Sequence, residues 1–79
     1  MDERTRAHWI TSNDEVRVAG IAWGDRRSVF VIPSTTERYV VALDSWFLGA
    51  DFDASVRKGV PAELLDDVLA WLDHPTEAE

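Results

Sequence analysis

Val16-Arg17-Val18-Ala19-Gly20-Ile21-Ala22-Trp23-Gly24-Asp25-Arg26-Arg27-Ser28-Val29-Phe30-Val31-Ile32 has the pattern of two strands joined by a tight turn. Its first half is rich in β-branched and aromatic residues, as a strand is. Gly24-Asp25-Arg26-Arg27 supplies a glycine and an aspartate suited to a tight hairpin connection, and Ser28 to Ile32 resumes the strand pattern. Gly20 inside the first strand predicts a bulge or the close approach of another backbone. Pro33 ends the second strand.

Pro33-Ser34-Thr35-Thr36-Glu37 is a polar connector, and Arg38-Tyr39-Val40-Val41-Ala42-Leu43 reads as a third strand. Short loops between consecutive strands imply an antiparallel meander. On the N-terminal side, His8 to Thr11 is either a short strand or a helical turn, since so short a piece has no readable period. Asp44-Ser45-Trp46-Phe47-Leu48-Gly49 is either one helical turn capped by Asp44 and stopped by Gly49, or a loop plugged by Trp46 and Phe47. Ala50 to Gly59 reads as irregular.

The last element is an amphipathic helix. Pro61 suits its first position, Glu63 complements its positive end, and His74-Pro75 stops it. Leu64, Leu65, Val68, Leu69 and Leu72 recur at helical spacing with Trp71 flanking them, while Glu63, Asp66, Asp67 and Asp73 take the other side. Such an apolar stripe needs a cover, and one face of the sheet is the available surface. The expected fold is therefore α+β: an antiparallel meander of three to four strands packed on one C-terminal helix. Residues 1–79 form a single domain in this reading, with 1–7 and 75–79 as frayed tails.

Composition limits the chemistry. The chain has 79 residues, 46% hydrophobic, with no cysteine, so neither a disulfide nor a thiolate metal site nor a thiol nucleophile is available. Asp51-Phe52-Asp53-Ala54-Ser55 begins like a calcium loop, but its sixth position is Val56 rather than glycine and its twelfth is Ala62 rather than glutamate. His8 and His74 are the only imidazoles, and neither belongs to a nucleophile motif. These patterns predict no enzyme, no metal and no cofactor. The charged Met1-Asp2-Glu3-Arg4 start and the lack of a long apolar run predict a cytoplasmic protein without a membrane span.

Charge is distributed unevenly. Residues 1 to 40 hold six acids and six arginines, whereas residues 41 to 79 hold nine acids against Arg57 and Lys58, so the whole net charge of −7 lies in the second half. That pattern predicts a protein-binding module, of inhibitor, antitoxin or adaptor type, which presents an acidic surface to a basic partner that itself handles nucleic acid. The residues expected to make the contact are Asp44, Trp46, Asp51, Asp53, Glu63, Asp66, Asp67 and Asp73. Direct binding of nucleic acid is disfavoured by the charge. Arg17, Arg26, Arg27 and Arg38 offer an alternative nucleic-acid surface if they converge on one face, and a homodimer joined through a sheet edge is a second alternative. Each of the four tryptophans (Trp9, Trp23, Trp46, Trp71) is either a core ring or an interface ring.

Overall fold

The computed structural model describes residues 8–35 and 40–75. Four strands, β1 (His8–Ser12), β2 (Val16–Trp23), β3 (Arg26–Pro33) and β4 (Val41–Asp44), form one antiparallel sheet in the order β1-β2-β3-β4. The α+β meander read from the sequence is the fold. The ambiguous His8 segment is its first strand, and the expected tails at 1–7 and 75–79 apart from Pro75, the connector residues Thr36 and Glu37, and the start of the third strand at Arg38 and Tyr39 lie outside the described residues. Strands β2 and β3 pair without interruption from Val16↔Pro33 to Trp23↔Arg26. Arg26 and Arg27 thus belong to β3, and the connection is two residues long. Gly24 has φ +63° while no non-glycine residue described has a positive φ, which is the two-residue hairpin turn that demands glycine first.

After β4 come α1 (Ser45–Leu48), a 3-10 turn (Gly49–Asp51), α2 (Phe52–Gly59) and α3 (Ala62–Asp73). The segment from Ala50 to Gly59 is therefore helical, which corrects the irregular reading. Phe52 and Val56, one turn apart, give that short helix its buried side, Val60 just beyond its end continues the row, and its Arg57 and Lys58 suit the negative C-terminal end. Pro61 caps α3 from just outside, with ψ 140°, instead of occupying its first turn.

The core lies between the helices and one face of the sheet. Val18, Val29 and Val31 from the strands meet Val56, Val60, Leu64 and Val68 from the helices. Trp71 is buried in this face of α3, not at its flank. Its ring explains Gly20: a Cβ there would stand 2.7 Å from Trp71 Cη2 and 2.8 Å from Ile10 Cδ1, too close for any side chain. What approaches Gly20 is thus a pair of side chains and not the backbone expected, and the bulge falls on the neighbouring strand, where the β1 register shifts between Trp9 and Thr11. The extra residue, Ile10, turns in to pack against the core.

Candidate functional site

Alternation along the strands divides the sheet into two faces. The helix layer covers the face of Val18, Val29 and Val31. No described element packs against the other face, and the register fills it: Trp9 lies opposite Ala19, Ala19 opposite Phe30, and Phe30 opposite Ala42. Arg17 lies opposite Ile32, Ile21 opposite Ser28, Trp23 opposite Arg26, and Ser28 opposite Asp44. Trp9, Trp23 and Trp46 are 59%, 44% and 63% exposed, far more than rings of this size are in a core. Three of the four tryptophans thus stand on or beside this open face, and only Trp71 is a core ring.

Each end of the face has a guanidinium set against an indole. Arg17 Cζ sits 3.9 Å from the centre of the Trp9 ring, and Arg26 Cζ sits 5.0 Å from that of Trp46. Such stacking contributes about 0.5–1 kcal/mol at exposed positions and, more to the point here, fixes the ring orientation. Asp44 organises the second pair. One carboxylate oxygen accepts from the backbone N–H of Trp46 at 2.8 Å and of Phe47 at 3.4 Å, which starts α1. The other accepts from Arg26 Nε at 3.1 Å, from Arg26 Nη2, and from Ser28 Oγ at 3.4 Å. The Arg26 guanidinium holds the Asp44 carboxyl below the usual carboxylate range; partial burial opposes this, and the Trp46 and Phe47 N–H groups assist it. Between these groups lies a shallow cleft of about 390 Å³ lined by Ile21, Trp23, Arg26, Ser28, Phe30 and Asp44. Its walls are apolar and its floor holds a hydroxyl and an ion pair.

The arrangement suits binding. Ser28 is buried and bonded to a carboxylate, with no imidazole beside it to act as a base. His8 lines a cleft between β1 and α3, and His74 pairs with Asp73 at the exposed end of α3. No group of three His, Cys, Asp or Glu among the described residues could hold a metal ion. No described helix is long and apolar enough to cross a membrane.

The acidic residues read from the sequence divide between two layers. Asp44 and Trp46 belong to the open face just described. Asp51, Asp53, Glu63, Asp66, Asp67 and Asp73 are all exposed on the helical layer. Several already have partners there: Asp53 pairs with Arg57 at 2.8 Å, Asp67 accepts from Thr11 Oγ1 and Glu63 from Asn13 Nδ2, both at 2.9 Å. The last two pin α3 to β1 and the turn after it. The arginines do not gather into a patch. Arg17 and Arg26 share the open face but lie at opposite ends of it, six strand positions and so about 20 Å apart. Arg27 curls back onto the carbonyls of Gly24 and Arg26, and Arg38 lies outside the described residues.

Trp9 and Trp23 were not among the expected contact residues, and Arg17 was expected only in the alternative surface formed by the sheet arginines. One signal for them was present: β2 and the Val29–Ile32 run of β3 are apolar at both odd and even positions, the mark of strands covered on both faces. The described helices form a single layer and cover only one of them. No known protein family, no curated protein and no solved structure matches this chain.

Proposed function

We propose that this protein is a non-catalytic protein-binding module whose contact surface is the open face of its sheet. The carrying observation is the placement of Trp9 and Trp23 on that face and of Trp46 beside it, with Arg17 and Arg26 set against two of the rings. Tryptophan and arginine are the residue types that dominate binding energy in protein interfaces, and large apolar patches on a monomer mark such sites. The helical layer, with six exposed acids against Arg57 and Lys58, is turned to solvent on the far side. A cysteine-free module of this kind suits a reducing compartment such as the cytoplasm. A second reading rests on those acids themselves: contact of the helical layer with a basic protein, steered by its field.

Affinity capture with the full chain as bait separates the two readings. Trp9→Ser with Trp23→Ser should abolish retention of the bound protein, whether a different protein or an untagged copy of the bait. Asp51→Asn with Asp66→Asn should leave it in place, since both side chains are exposed on the other layer. The reverse pattern, with circular dichroism showing both variants folded, assigns the contact to the acidic helices.

A further inference from the structure

We infer that the occupant of the open face is a second copy of this chain, so that two sheets pack face to face as a symmetric sandwich with the helices outside. The inference rests on the reading of that face as a docking surface and adds the identity of what docks. Three observations favour a second copy. The first is charge. The described open face carries Arg17 alone, plus the Arg26–Asp44 pair that neutralises itself, so it offers a basic partner nothing to pair with, whereas an apolar, near-neutral face is complementary to itself. A two-fold contact of one patch with its own copy is also the commonest form of association.

The second is area. With about 250 Å² for a whole tryptophan, the exposures of Trp9, Trp23 and Trp46 leave roughly 400 Å² of indole open. A standard interface takes about 800 Å² from each partner. The three rings supply half of that, and Ile21, Phe30, Ile32 and the Arg17 stem are on hand for the rest.

The third is the position of the excess negative charge. Two sheets pack about 10 Å apart and each helix layer adds about as much again, so the acidic surfaces of the two copies end up roughly 30 Å apart. Screening acts over about 8 Å at physiological ionic strength, so the repulsion between two chains of net charge −7 is small there and grows only as salt is removed.

This gives the association a signature opposite to that of a basic partner: the dimer tightens as salt rises, whereas binding of an acidic protein to a basic one weakens. Sedimentation equilibrium of the full chain across protein concentration and sodium chloride tests it. The parent should reach twice the monomer mass, more readily at higher salt, with its tryptophan emission shifting to the blue as the rings are covered. Trp9→Ser with Trp23→Ser should raise the dissociation constant at least tenfold, and so should Ile21→Glu, a second variant that leaves every indole in place. A parent that stays monomeric at all concentrations and salts overturns the second copy as occupant. The docking reading then stands or falls separately on the capture experiment. A monomer whose emission shifts to the red when residues 1–7 are removed overturns the inference in favour of the chain's own N-terminal segment. A dimer that survives both face variants overturns it in favour of another surface.

Discussion

Asp44 ends β4 and begins α1, and its two oxygens divide between those tasks: one receives the N–H groups of Trp46 and Phe47, the other the Arg26 guanidinium. The residue looked from the sequence like both a helix cap and a contact for a partner, and its partners in the structure are intramolecular. Its influence on the open face is to position Arg26 and Trp46. Because Arg26 and the two N–H groups favour the ionised form, the carboxyl titrates lower in the folded protein than in the unfolded chain. The stabilisation is therefore complete above the unfolded value of about 3.9 and is lost as pH falls through the lower folded value. Asp44→Asn should melt at a lower temperature than the parent at neutral pH, and the gap should close in acid, once the carboxyl is protonated in the folded protein as well. Thermal melts followed by circular dichroism at the two pH values decide it. An equal gap at both would mean that the charge of Asp44 contributes nothing and that only its capping geometry matters.

Helix α3 offers a sharper test of the packing, because neighbouring apolar residues differ in depth. Val68 is 0% exposed and central to the core, whereas Leu65 packs against it from the side. Val68→Ala should cost about 2 kcal/mol and Leu65→Ala less, although leucine loses more atoms. Chemical denaturation of the two variants checks the order, and the reverse order would rotate the helix by about a sixth of a turn from where it now sits. This helix was legible in the sequence because its apolar residues repeat over three turns between a proline and a histidine–proline stop. The β2–β3 hairpin was legible through Gly24 and its β-branched flanks. Helix α2 was not, since its apolar anchors are spaced by polar residues and Asp51-Phe52-Asp53 resembles a ligand loop. Strand β1 was ambiguous because a piece of five residues is too short to show a period, and the bulge at Ile10 shortens its regular run further. As for the site, the sequence named Trp46 and Asp44 but not Trp9 or Trp23. Which face a tryptophan occupies depends on how many layers cover the sheet, and local pattern does not count layers.

At the scale of the whole molecule, the two layers differ in electrostatic character. The described sheet residues are close to balanced, with Asp14, Glu15, Asp25 and Asp44 against Arg17, Arg26 and Arg27, while the helical layer sets six acids against two bases. On α3, Glu63 and Asp67 are one turn apart, as are Glu63 and Asp66, and like charges at those spacings destabilise a helix by about 0.2–0.5 kcal/mol a pair. Salt weakens this repulsion, and it also weakens the Arg26–Asp44 and Asp53–Arg57 attractions. The attractions are at contact distance and the first is half-covered, so they lose less than the longer-range repulsions when the screening length falls from about 30 Å at 0.01 M to about 8 Å at 0.15 M. The net effect should be stabilising by less than about 1 kcal/mol, which in a domain of this size raises the melting temperature by a few degrees. Self-association would raise it as well. The measurement therefore belongs on Trp9→Ser with Trp23→Ser, by scanning calorimetry at a fixed low protein concentration, where the contribution of a dimer is removed and that of the acidic layer remains. A melting temperature that falls with salt in this variant would mean that the ion pairs outweigh the crowding of carboxylates, and that the acidic layer is held together by its own partners more than it is strained by its charge.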